Sequence, residues 1–305
     1  ACAIPGIMAT RTIPSAKDRI ATMLSAPLAT CSARLPVYVL LVGILVPAGS
    51  SLGPVSVRGL VLFGMYLLGA LSAMLAARVV KKITDRSGTL LPFYMEMPPY
   101  RIPTPRSVGM AMWEPTKAFL RKAGTIIMGA TIVIWALTTF PLRSDAEMTA
   151  AGVDPSDEVA ATAYNMEHSA AAKVGKAIEP VFAPQGFDWR VNISLIGSMA
   201  AREVAVSTLG QVASASDPED DVSVSESVQK WTYTDGPHQG EKVFTPDTTI
   251  AMLIFFAFAL QCVATIGILK RESGSWKWPA IAFGYMFVLA WVGSSLAAII
   301  TRVVM

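Results

Sequence analysis

The sequence predicts an all-α membrane protein: a polytopic transmembrane helix bundle built from two related halves, with broken or re-entrant helices. Three observations lead there, namely the composition, five apolar runs of spanning length, and one apolar segment with a charge pair at its centre. Of 305 residues, 53% are hydrophobic and only 15% charged, and the mean hydropathy is +0.49, outside the range of soluble domains. The net charge of +3 is too small and too scattered to point to nucleic acid, so the basic residues are read for sidedness instead.

The apolar runs lie near 33–49, 57–79, 122–140, 248–269 and 278–301, each within the roughly 17 to 25 residues a helix needs to cross the hydrocarbon core. Between the second and third, residues 78–122 carry nine Lys or Arg against three acids, Asp85, Glu96 and Glu114. The positive-inside rule places that loop in the cytoplasm. It opens with "PFYMEMPPYRIPTP" (92–105), too proline-rich for a continuous helix. "RSVGMAMWEPTKAFLRKAG" follows, where Met110, Trp113, Ala118 and Phe119 among basic positions predict an interfacial helix bent at Pro115. Glu96 and Glu114 read as partners of Arg101 and Lys117.

Residues 140–190 hold four basic and eight acidic residues, and 211–246 hold two against seven. Both read as external, although acids weigh little in the rule. The segment between them, "VNISLIGSMAAREVAVSTLGQV" (191–212), is long enough to span but centres on Arg202 and Glu203. If it crossed fully, 211–246 would be cytoplasmic and the basic "KRESGSWK" (270–277) external, both against the charge. A segment that dips in and returns removes the conflict. Desolvating either charge alone costs several kcal/mol, so the pair reads equally as a hydrophilic pathway or as a structural ion pair at the turn of a re-entrant loop. The acidic stretches 143–169 and 214–247 read as solvated loops, with "SDPEDDVSVSES" (216–227) flexible. Their histidines, His168 and His238, read as ordinary loop residues.

The chain offers no catalytic constellation: HExxH is missing, and "GTIIMGAT" (124–131) lacks the lysine of a phosphate loop. It offers sulfur instead. Cys2, Cys31 and Cys262 are an odd number set in or beside apolar sequence, which argues against a disulfide framework. Taken singly each is a small apolar packing residue, but each also neighbours a helix-irregular element: Pro5 and Gly6, Pro36, and Gly267. Such elements let backbone carbonyls face a lumen beside a thiol, a donor set that suits Cu(I), Zn(II) or Fe(II). A faint internal echo pairs "PGIMATRT" then "CSARLPVY" with "AAREVAVSTLG" then "CVATIGILKRE", the layout of a two-halved transporter.

The same residues carry a family resemblance. "CAIPGIMATRTI", "DRIATML", "CSARLPVY", "LPFYMEMPPYRIPT", "KAGTII", "PVFAPQGFDWR", "AAREVAVSTLG" and "CVATIGILKRESGSWKW" run in order from residue 2 to about 278 and resemble the membrane domain of ferrous iron transport protein B of prokaryotes. The resemblance implies a multi-pass importer of Fe²⁺ in the cell inner membrane, with two Gate-type, inverted-repeat halves. It implies a partial first Gate repeat at 1–50, a transmembrane helix with basic cytoplasmic loop and interfacial helix at 51–121, and a second Gate repeat with acidic external loops at 122–305. The chain, which opens on Ala1 inside a motif, is expected to be the carboxy-terminal membrane part and not itself an enzyme. GTP and Mg²⁺ would act only through an amino-terminal GTPase domain that this sequence lacks, which would press on the basic face 78–122.

Carried over by residue, the motif cysteines fall on Cys2, Cys31 and Cys262, with Met8 and Glu203 as secondary metal contacts. Gln261 stands where the family often has proline, and Arg202 replaces the usual lysine. Expected partners are the lipid bilayer, Fe²⁺, the GTPase domain, small accessory proteins of the same system, and a second copy of the chain. The competing expectations are a Gate-type nucleoside or organic-solute permease, which would not need sulfur, and a non-transporting regulatory membrane module.

Overall fold

The computed structural model describes residues 3–47, 49–84, 102–141, 144–152, 154, 156, 158–199, 202, 204–212, 221–233, 240–260 and 262–304. Among them the chain is almost wholly helical. The amino-terminal part runs α1 (Ala3–Ala9), α2 (Ala16–Ser25), α3 (Leu35–Leu45), a small hairpin of β1 (Ser51–Leu52) and β2 (Val55–Ser56), α4 (Val57–Thr84) and α5 (Pro105–Thr139). Then come α6 (Asp145–Ala150), α7 (Glu158–Glu167), α8 (Ala170–Phe182), α9 (Trp189–Ser198), α10 (Val204–Val212) and α11 (Asp221–Val228). The chain closes with α12 (Pro246–Phe258), α13 (Val263–Ser273) and α14 (Lys277–Val304).

Four elements among the described residues are long and apolar enough to cross a membrane: Ala16–Leu45, Val57–Thr84, Pro246–Ser273 and Lys277–Val304. The first corrects the expected 33–49, because the spanning element starts at Ala16 and consists of α2 and α3 in series. Lys17, Asp18 and Arg19 lower the local hydropathy and hid α2 from a hydropathy reading. Its inner face nevertheless buries Ala21, Met23 and Leu24.

Two helices are set for contact with lipid. In α4, Met65 and Gly69 are the buried residues, and Phe63, Leu67, Leu71, Met74 and Leu75 are exposed, as an apolar helix at the rim of a bundle should be. Between lipid and protein there is little hydrophobic difference to exploit, so tight packing has to hold the bundle. Accordingly α14 turns Ala282, Met286, Ala290, Ser294 and Ala298 inward at a four-residue repeat. That mostly small stripe lets α12 lie close: a Cβ on Gly293 would stand 3.3 Å from Ile254. Aromatic edges finish the seam, with Phe255 of α12 at 5.6 Å from Phe182 and 6.4 Å from Phe287 between ring centroids.

Residues 105–139 form one helix that passes through position 115 without interruption, so the expected interfacial helix and the expected span at 122–140 are a single element. One proline removes one rung of the ladder, and 35 residues of otherwise helix-compatible sequence carry the helix past it. Glu96 and Arg101 lie outside the described residues, as does the side chain of Glu114. The acidic stretches are also more ordered than their composition suggested. Ser144 and Glu147 form a reciprocal capping box that starts α6. Of the stretch 216–227 expected to be flexible, residues from 221 onward belong to α11 (Asp221–Val228), because Val224 and Val228 sit one turn apart and both enter the main core beside Trp231 and Val243. His168 donates from Nδ1 to the Tyr164 carbonyl, 2.9 Å away, an ordinary loop role; His238 lies outside the described residues.

Ion pairs mark the two ends of the bundle. At one end Arg11 holds Glu272 through two hydrogen bonds of 2.6 and 2.5 Å, and Lys81 reaches Asp18 at 3.1 Å. At the other, Arg302 pairs with Asp247 at 2.5 Å, and the Tyr233 hydroxyl donates to the Gly186 carbonyl at 2.7 Å. The basic stretches 78–82 and 270–277 therefore share one end, as the charge reading required.

Candidate metal pathway

Three helical elements are interrupted, and at the first of them local sequence explains the interruption. Between α2 and α3, Pro27 and Pro36 lie in the opening turns of successive helical pieces. Each removes a backbone donor, so the chain proceeds through 3₁₀ turns at Ala26–Leu28 and Ser32–Arg34 with Cys31 extended between them. Between α12 and α13 the backbone is extended at Ala259 and at Cys262, which precedes the first turn of α13. Between α9 and α10 the helix ends at Ser198 and resumes at Val204.

The third interruption reverses the chain. The Ser194 hydroxyl donates to the Ala205 carbonyl at 2.9 Å, and a Cβ on Gly197 would lie 2.9 Å from Thr208 Oγ1. Residues 11 apart in a continuous helix are about 16 Å apart, so α9 and α10 must be antiparallel arms of a hairpin. Val212 accordingly packs on the cluster of Trp189 and Ile193, back where the hairpin began. Segment 191–212 is re-entrant in shape. Arms of ten and nine residues reach about 15 Å, half the hydrocarbon thickness.

Contacts then tie the three breaks together. The amide of Val263 donates to the Met199 carbonyl at 3.0 Å, joining the second break to the third. Arg202, 5% exposed, donates from Nη2 to the Ala259 carbonyl at 2.9 Å. Its Nη1 lies 4.0 Å from Cys31 Sγ. One guanidinium thus touches the first and second breaks from the third. Under Cys31, Arg34 is fully buried and donates to the carbonyls of Pro27 (3.1 Å) and Leu28 (3.0 Å). It pins the irregular backbone that carries the thiol.

Of the expected site residues, Cys31 and Cys262 are half-buried free thiols at two of these breaks. Met8 and Cys262 both pack, partly buried, against the cluster to which α1, α2, α13 and α14 contribute. Cys2 and Glu203 lie outside the described residues. Among the described residues no three His, Cys, Asp or Glu side chains cluster closely enough to hold an ion. What the geometry offers is single thiols beside freed carbonyls, a chemistry suited to passing contacts rather than to a closed cage. Arg34 escaped the sequence reading, although it is the only charge between Arg19 and Arg58, a signal that could have found it.

Known proteins match this chain along nearly its whole length. The "Fe(2+) transport protein A/Fe(2+) transporter FeoB fusion protein" of Porphyromonas gingivalis is 40% identical over 312 residues, 97% of this chain and 36% of its own length. The "Fe(2+) transporter FeoB" of Leptospira interrogans is 39% identical (95% of this chain, 40% of its own), and that of Helicobacter pylori 32% identical (99% and 47%). Residues 62–114 match the family described as "Ferrous iron transport protein B C terminus". The chain belongs to the FeoB family. A second match, described as "Nucleoside recognition" and known as Gate, covers residues 120–276, so the FeoB membrane fold here includes the hairpin and the break at Cys262. The chain spans about two fifths of the length of the FeoB relatives it matches. No solved structure matches it. With its apolar helices, membership in FeoB makes it a multi-pass membrane protein.

Proposed function

We propose that the chain forms the permeation part of a ferrous iron importer of the cell inner (cytoplasmic) membrane. In this reading Fe²⁺ enters from the acidic end and passes the seam where the three interrupted helices meet. The observation that carries it is the placing of Cys31 and Cys262 at two breaks joined through Arg202 and the Met199 carbonyl, in a chain whose relatives are named Fe(2+) transporters. Fe²⁺ is borderline in softness and binds sulfur and oxygen. One thiol at a time with carbonyl oxygens can replace part of its hydration shell without trapping it. Cys2, Met8 and Glu203 complete the proposed ligand set.

The chain itself performs no enzymatic step in this proposal. GTP and Mg²⁺ act on an amino-terminal domain of the whole protein, which meets the basic face containing 78–82. The name of the Porphyromonas gingivalis relative joins a transport protein A to the transporter, which supports a small accessory protein as a further partner. The test is Fe²⁺ uptake by the complete native protein in vesicles loaded with a quenchable chelating dye. Cys2→Ser, Cys31→Ser and Cys262→Ser together should reduce the initial rate at least about tenfold, the loss of roughly 1.4 kcal/mol or more of favourable contact. Unchanged uptake in the triple variant would sink the thiol pathway.

A further inference from the structure

We propose that Arg202 is the residue that closes the pathway, a positive charge standing where a cation would have to pass. This rests on the permeation reading above. Arg202 lies at the turn of the hairpin, where its guanidinium lies 4.0 Å from the Cys31 thiol and 2.9 Å from the Ala259 carbonyl. Those two atoms are the kind of donors a metal ion would use there, and the guanidinium already engages both. Among the described residues, neither Arg202 nor Arg34 pairs with a carboxylate; both donate to backbone carbonyls, and Arg202 also lies against the Cys31 sulfur.

Two consequences follow from charge and connectivity. A buried guanidinium facing the path repels an approaching cation in a region of low dielectric, as positive groups do in pores that exclude cations. A single side chain that bonds across all three breaks also makes opening cooperative. If Arg202 shifts away from this position, the contacts to Cys31 and to Ala259 are lost together, and both donors become free for the ion. Arg34 cannot take this role, since its guanidinium is sealed behind the carbonyls of Pro27 and Leu28 and serves as the fixed floor beneath Cys31.

The test compares two thiol reagents of similar size and opposite charge, trimethylammonium-ethyl and sulfonato-ethyl methanethiosulfonate, on the complete native protein in detergent. Modification of the peptide containing Cys31 is followed by mass spectrometry, and rates are referred to glutathione. The wild-type protein should favour the anionic reagent at Cys31 by about tenfold or more over the reference thiol, a result that needs no variant. Arg202→Gln should abolish the preference and Arg202→Lys should keep it. No charge preference in the wild-type protein, or an Arg202→Gln variant that reacts faster with both reagents equally, would overturn the proposal. In dye-loaded vesicles Arg202→Gln should also pass Fe²⁺ faster than wild type. If the wild type passes no Fe²⁺ while the charge preference at Cys31 stands, the iron reading fails and the barrier survives.

Discussion

Gly69 allows a direct test of how the Cys31 break is held. It is one of the two buried residues of the lipid-facing α4, and a Cβ placed on it would fall 2.0 Å from Thr30 Oγ1, 3.1 Å from the Thr30 amide nitrogen and 3.2 Å from its Cβ. Gly64, five residues earlier in the same helix, has nothing within 4 Å of the same position. Gly→Ala at either site gains the same helix propensity, about 1 kcal/mol. Their difference therefore isolates the clash. To bring the 2.0 Å contact to an ordinary separation, α4 and the Thr30 segment must part by more than 1 Å, or the Thr30 side chain must rotate. Rotation leaves the backbone contacts in place, and Thr is stiff about χ1. Overpacking of this kind costs about 1–3 kcal/mol, so Gly69→Ala should be the less stable of the two by about that amount. Adding Thr30→Ala, which removes the closest atom only, should restore part of the loss. The assay is reversible denaturation of the purified protein in mixed micelles, all four forms side by side. Equal stability of Gly64→Ala and Gly69→Ala would refute the close packing of α4 on the break.

Two further outcomes concern the acidic end. Val228 is fully buried in the main core, so Val228→Ala should cost about 1–2 kcal/mol and raise hydrogen exchange across 221–228 while leaving α14 protected; unchanged exchange would show that the core does not hold α11. Burial, with the charges of Asp188 and Asp247, pushes the Tyr233 phenol up to about 12 from its ordinary 10. The unfolded chain then loses this proton first, so the contribution is intact below pH 10 and drains away between pH 10 and 12. Tyr233→Phe should show a shallower fall in melting temperature across that window, and a parallel fall would contradict it.

The membrane class, most of the spans and the basic end were legible in the sequence because hydropathy and Lys/Arg counts report solvent preference residue by residue. The folding back of 191–212 was legible too, through the charge conflict that a full crossing would create. Family likeness, more than spacing, picked out Cys31 and Cys262 among the apolar residues. Packing decided the rest. That α2 belongs to the first span, that Val224 and Val228 draw an acidic stretch into the core, and that one helix runs through position 115 all depend on neighbours far away in the chain. So does Arg202 meeting Cys31 and Ala259, which are 171 and 57 residues distant. A sequence records which residues avoid water; which broken ends meet at the centre is settled only when every freed carbonyl and buried guanidinium must find its partner away from water.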